Sequence, residues 1–329
     1  MSKAVEVINA VVSPVTKLIK TVSSAIGKAY EPTHIKRMAK ARAREIEEIG
    51  RALRENADIP ITYSNGEIVA DTKDFDQLVK RTQSRMAFQE LQKQQNIESV
   101  VDKAYGLLDG EPDCTDVPVD NDWLSRFFNS VENISDNDMQ LLWARILAGE
   151  VKQPKTYSLR TLETLKNISK DEALLFQKMT AYVFTIGLGK YIFSNDAILE
   201  KNGTQYRDIV LLRECGLLTD LANLTINNVK DKDLSAIYTE KRIVIFDCAR
   251  KKDMDVDMSV YMLTTVGREL FDIVQKEFNN EYILDLAEKL YNVYRPNVKI
   301  KVFRVTSIQD DTINYEDNPI KVFDNEIVS

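Results

Sequence analysis

The chain has 329 residues, 44% hydrophobic and 29% charged, with a formal net charge of −7. That length is too great for one comfortable core and predicts two or three domains, and the composition excludes a disordered or low-complexity chain. Three widely spaced cysteines (Cys114, Cys215, Cys248) without a CxxC pair exclude a disulfide framework and a zinc site.

The charge is uneven. Residues 1–54 carry eleven Lys/Arg against five acids, or +6, which leaves −13 on the remainder of the −7 total. Such a basic end suits lipid headgroups, nucleic acid or the protein's own acidic body. Lys17 and Lys20 interrupt the apolar N-terminus, so no secretory signal is read, and no run approaches the ~18 apolar residues that span a bilayer. A cytoplasmic protein is expected, with the option of lying peripheral to the inner face of the membrane.

In chain order, residues 1–58 read as a basic amphipathic segment. Ser13-Pro14 starts a helix running to about residue 28, with Val15, Leu18, Ile19, Val22 and Ile26 on one face and Lys17 and Lys20 beside them. Exposed, that face would hold a membrane surface or a protein partner; otherwise it docks on the chain's own bundle. Thr33 caps a second helix whose stripe of Ile35, Met38, Ile46, Ile49 and Leu53 is too thin to bury alone. It predicts packing against residues 73–108 or the same helix of a second chain, a homo-oligomer.

Residues 59–110 predict a hairpin turning on Asn65-Gly66 and then long helices, and 109–120 an acidic loop. Residues 121–190 read as a central helical bundle. Asp122 caps Trp123–Val131, Ser135-Asp136-Asn137-Asp138 opens a helix closing near Gly149, and Ser158 and Ser169 start two more, the last reaching Phe184. Gly187-Leu188-Gly189-Lys190 lacks the spacing of a phosphate loop and reads as a helix C-cap.

Residues 191–295 place a helix at 208–218, then strands at 221–229, 236–238, 242–248 and 260–264, then a helix to about Asn279. With Gly216-Leu217-Leu218 before the strands and Leu263-Thr264 and Gly267 after them, this order resembles a winged-helix module. Residues 296–329 add a β-hairpin tail. The fold class expected is mainly α with a smaller α+β part.

The chemistry is sparse. His34 is the single histidine, no Ser, Cys or acid partner is placed for it by spacing, and no catalytic residue, metal ligand or cofactor is predicted. Asp253, Asp255 and Asp257 lack the glycine and closing glutamate of a calcium loop and read as a solvated hairpin tip. Across 201–275, eleven basic and twelve acidic residues give −1, which opposes duplex-DNA binding.

The run Leu142-Trp143-Ala144-Arg145-Ile146-Leu147-Ala148-Gly149-Glu150, then Pro154, then Ser158-Leu159-Arg160-Thr161-Leu162 resembles a bacterial and prophage-encoded family of unknown function. The segment Ile26–Pro32 with its basic helix is also similar to the alpha family of abortive-infection proteins. The resemblance implies antiphage defence or prophage biology and supplies no catalytic residue. Within the run, Arg145, Glu150 and Arg160 are the polar members that packing does not account for, and an ion pair between neighbouring helices is expected of them, Glu150 being the leading carboxylate. A non-enzymatic interaction protein with a protein partner is the function expected, and a nucleic-acid-associated regulator the alternative.

Overall fold

The computed structural model describes residues 11–26, 62–64, 67–69, 72–226, 236–247, 255–309 and 312–324. The expected oligomer stripe (Ile35, Met38, Ile46, Ile49, Leu53), His34 and Cys248 lie outside the described residues. Two compact units divide the chain, Met1–Leu162 and Glu163–Ser329. The division falls inside residues 121–190, which sequence pattern places in one bundle.

The first unit holds β1 (Val11–Val12), α1 (Pro14–Ile26), a small hairpin of β2 (Thr62–Ser64) and β3 (Glu67–Val69), α2 (Thr72–Leu108), β4 (Cys114–Thr115), α3 (Asn121–Val131) and α4 (Asn137–Lys152). Side-chain caps set the helix starts. Asp120, two residues before the expected Asp122, accepts the Trp123 amide at 2.9 Å, while Asp136 accepts those of Asp138 and Met139. Aromatic packing forms the core: Trp123 stacks on Phe127 at 5.1 Å, and Phe127 meets the edge of fully buried Trp143 at 5.5 Å. A polar layer joins α2 to α4, where Gln140 Oε1 accepts from Ser99 Oγ at 2.6 Å and from Lys103 Nζ at 3.1 Å.

Helix α5 (Leu159–Asn167) crosses the division, and the second unit continues with α6 (Lys170–Met179). Here Ser169 and Glu172 close the capping box that sequence predicts. The helix stops short of Phe184, because Val183–Ile186 (β5) and Gly189–Phe193 (β6) form a hairpin. Gly187 is therefore a turn residue at φ 52°, and the helix C-cap expected there is corrected. A β-branched and aromatic run ahead of two glycines favours a strand and its turn over a helix end.

Then come α7 (Asp196–Lys201), α8 (Tyr206–Glu214), β7 (Leu218–Ile226), β8 (Ala236–Tyr238), β9 (Arg242–Asp247), β10 (Val256–Leu263), α9 (Thr265–Phe271), α10 (Asn280–Tyr294), β11 (Lys299–Gln309), β12 (Thr312–Tyr315) and β13 (Lys321–Phe323). Nine strands make one antiparallel sheet in the order β12-β11-β9-β8-β5-β6-β10-β7, with β13 also on β11. The fold is thus mixed α+β: the helices expected are present, and the sheet is larger than the smaller α+β part expected. The tail forms a hairpin of β11 and β12 that is part of the large sheet, since β11 also pairs with β9 from Lys299↔Asp247 to Arg304↔Arg242.

Helix α10 was not anticipated from residue spacing. Asn279 caps it by accepting the Tyr282 amide at 3.0 Å, and Tyr282, Ile283, Leu286, Ala287, Leu290 and Tyr291 form its buried face. It packs on β9, β11 and β13.

The Gly216-Leu217-Leu218 and Leu263–Gly267 strings meet in one junction. Thr264 Oγ1 donates to Gly216 O at 2.7 Å, Thr264 N donates to Leu217 O at 3.0 Å, and Thr264 Oγ1 caps α9 by accepting the Gly267 amide at 3.1 Å. Gly267 sits so close that an added Cβ would lie 2.2 Å from Leu217 O.

Candidate functional site

The first helix spends its apolar face inside its own unit. Leu18 and Val22 are fully buried, Val15 and Ile19 half-buried, and α1 packs on α2, α3 and α4. The Ile26 side chain lies outside the described residues. Lys17 is buried at 2% exposure and donates to Thr115 O at 2.8 Å, and exposed Lys20 stands 3.6 Å from Asp116. Burial lowers the Lys17 pKa, while Cys114, Asp116 and Glu150 oppose that shift. Of the two arrangements expected for α1, Leu18 and Val22 adopt the docking on the chain's own helices. The acidic 109–120 loop clamps the helix, with β4 pairing against β1.

Glu150 is buried at 1% exposure, and its carboxylate holds a loop. Oε1 accepts the Lys155 amide at 2.6 Å and Oε2 that of Tyr157 at 3.0 Å, around a backbone where Lys155 has φ 72°. Tyr157 O in turn accepts from Trp123 Nε1 at 2.9 Å. Arg145 is half-buried on α4, whereas Arg160 is exposed and has no ion pair among the described residues. Of the pair expected between Arg145 or Arg160 and a neighbouring carboxylate, the Arg160 version is not formed, and two backbone donors claim Glu150. Gly149 does not close the helix, which continues to Lys152; it makes room for the Tyr157 ring, 2.7 Å from where a Cβ would stand.

The second unit contains a cavity of about 420 Å³ between β5, β8, the turn into β9, the end of α9 and the start of α10. Lys190, Lys241, Arg242 and Lys276 line it with a single carboxylate, Glu240. Aromatic rings hold three of these cations: Lys190 and Lys276 lie 5.0 and 4.9 Å from the Phe271 ring centre, and Lys241 lies 5.2 Å from that of Phe278. Lys276 also pairs with Glu240, and Lys190 stands 3.8 Å from exposed Asp272.

Thr239 builds the turn that presents Lys241 and Arg242. Its Oγ1 accepts the Lys241 amide at 3.2 Å and the Arg242 amide at 3.0 Å. Arg242 Nη1 donates to Lys241 O at 3.0 Å, while its buried Nε has no hydrogen-bond partner. Register sets Arg242 directly opposite Arg304. Burial lowers the Arg242 pKa and Arg304 lowers it further, against a smaller opposing pull from Glu316. Residue spacing gave no sign of these four cations, which are scattered between Lys190 and Lys276 and gathered only by the sheet order.

Among the described residues no group of three or more His, Cys, Asp or Glu could hold a metal ion, and no helix is long and apolar enough to cross a membrane. Cys114 and Cys215 are free thiols. These features define a mixed α+β protein with a helical unit, a sheet-bearing unit and a ligand-sized basic cavity in the latter. The chain belongs to the family described as protein of unknown function DUF2806, whose profile matches residues 80–287. No curated protein and no solved structure matches it.

Proposed function

We propose that this chain is a non-enzymatic interaction protein of bacterial defence or prophage biology that self-associates through helices of its first unit. The exposed first half of α2 supports this reading. Val100, Val101, Ala104 and Leu108 are at most 1% exposed, yet none of residues 77–95 is buried, and Leu78, Met86 and Phe88 are 53%, 50% and 66% exposed. Three large exposed apolar side chains on one helix signal an interface. The occupant we assign is the apolar stripe Ile35–Leu53 of a second copy. In sequence that segment precedes the β2–β3 hairpin and α2, and its own apolar pattern is too narrow to bury alone. Light scattering is expected to give a dimer at tens of micromolar and a monomer for the Leu78→Ser, Met86→Ser, Phe88→Ser variant. A wild-type chain that stays monomeric would overturn the reading.

A second reading, a nucleic-acid-associated regulator, draws on the order β6–α7–α8–β7–β10 with strands arranged β6-β10-β7, the pattern of a winged helix. Charge argues against it, since Arg207 lies by Asp208 and Arg213 by Asp220 at the helix such a module would offer to DNA. Fluorescence anisotropy on random duplexes is expected to show no sub-micromolar binding. Tight binding that weakens steeply with salt would favour this second reading.

A further inference from the structure

We propose that the cavity of the second unit binds a phosphate-bearing small molecule of about mononucleotide size, with Lys241 and Arg242 as its anion-binding pair. This inference stands apart from the self-association reading, because the cavity lies wholly in the second unit.

Charge balance comes first. Of the four cations in the lining, Lys276 is neutralised by Glu240 and Lys190 is partly offset by Asp272. Neither Lys241 nor Arg242 makes an ion pair among the described residues, and Glu316, which acts on Arg242 from a distance, is itself paired with Arg304. Two adjacent cations without an ion pair match the charge of a phosphate monoester, about −1.5 to −2 near neutral pH. Phe278 positions Lys241 without cancelling its charge, which a carboxylate in the same place would have done.

Arg242 supplies the most specific observation. Its Nε is buried without an acceptor, and its cross-strand neighbour is another arginine. The buried Nε costs stability as a desolvated donor, and the charge of Arg304 opposite is offset only by its own pairing with Glu316. A guest that brings negative charge offsets the like charge of Arg304, and the guanidinium fork of a lining arginine fits phosphate oxygens in pairs. Asn280 opens the 15-residue helix α10 at the same cavity, adding the positive end of its dipole.

Size and lining then define the remainder of the ligand. A cavity of about 420 Å³ falls within the 300–1,000 Å³ of small-molecule sites and exceeds what a bare phosphate fills. Val183, Tyr238 and Phe278 give it apolar and aromatic walls for an organic group.

Isothermal titration calorimetry on the full chain tests this with ADP, ribose 5-phosphate, pyrophosphate and adenosine at matched ionic strength. ADP and ribose 5-phosphate are expected to bind and adenosine to give no heat. A preference for ADP identifies a nucleotide site and the reverse a sugar-phosphate site, both within the proposal. Lys241→Met, in an exposed turn, and Arg242→Met should each weaken binding about tenfold or more. Without ligand, Arg242→Met should melt no lower than wild type, because the unpaired buried Nε is then gone. The proposal is overturned if neither organic phosphate binds, if pyrophosphate binds as tightly as both, if adenosine binds equally well, or if Lys241→Met leaves the affinity unchanged. A lowered melting temperature for ligand-free Arg242→Met would show Arg242 to be a structural residue and remove it from the site.

Discussion

Replacing Gly267 with alanine should destabilise the second unit, although the same change in an ordinary helix stabilises. Gly267 lies in α9, where alanine gains up to about 1 kcal/mol from helix propensity. Against that gain, the new Cβ would stand 2.2 Å from Leu217 O, a backbone atom that cannot rotate aside. Relieving the overlap requires α9 to move off the segment entering β7, an overpacking cost of about 1–3 kcal/mol. The movement also strains Thr264 Oγ1–Gly216 O and Thr264 N–Leu217 O, each worth about 0.5–1.5 kcal/mol. The balance is a loss of about 2–4 kcal/mol, or roughly 5–15 °C in melting temperature for a unit of this size. Gly106→Ala provides the matched control. It is exposed in α2, has nothing within 4 Å of its added Cβ, and should leave stability unchanged or raise it. Calorimetry on both variants decides the matter, and a Gly267→Ala chain melting at or above wild type would refute the junction.

Glu150→Ala should cost about 3–5 kcal/mol in urea denaturation, because it removes the charged acceptor of two backbone amides at about 1.5–3 kcal/mol each; a loss below about 1 kcal/mol would show the loop to be self-supporting. The Cys215 thiol is pushed up to about 11 from 9.0, mainly by burial and then by Glu172, so iodoacetamide at pH 8 should label it about a hundredfold more slowly in the folded chain than after unfolding, read by peptide mapping. Hydrogen bonds from the Ser169 backbone and hydroxyl hold the Glu172 carboxyl below its ordinary 4.5, so its contribution is present above that value and lost as pH falls below it. Glu172→Gln should therefore flatten the acid side of the stability profile, and an unchanged slope would remove the capping box from the account.

Local chemistry was the legible part of the fold. Asp136 and Ser169 cap helices where sequence places them, because a short oxygen acceptor two or three residues before an apolar stripe has few other uses. The α3 start is ambiguous by the same logic, since Asp120 and Asp122 are both available and only the structure shows Asp120 taking the Trp123 amide. Pairings distant in sequence left no such mark. Strand β9 pairs with β11 more than fifty residues later, and β8 touches β5 through Thr185↔Tyr238. Alternation at Arg242–Asp247 and Lys299–Gln309 reveals strands but not each other's address, so the tail looked separate and the sheet small. For α10, the Asn279 cap and the helical spacing from Tyr282 to Tyr291 were both present, hidden because one helix drawn from 265 to 279 runs over the break after Phe271.

The cavity was illegible for a different reason. A net charge of −1 over 201–275 averages cations and acids that the fold separates. Asp208, Asp220 and Asp257 face Arg207, Arg213 and Thr225, while Lys241, Arg242 and Lys276 collect with Lys190 around one space with Glu240 alone among them. The average still weighs against a duplex, which needs an extended positive surface, but it is silent about a small anion, which needs only two or three cations in one place. What marks the place is a local rule only partly compensated: an arginine opposite an arginine that Glu316 holds, its own Nε buried and unpaired. Buried Glu150 is matched by two amides and Lys17 by a carbonyl, whereas Trp143 Nε1, Arg213 Nε and Arg242 Nε have no hydrogen-bond partner. Of these three residues Arg242 lines the cavity, and a broken local rule beside a cavity is where a binding site is expected.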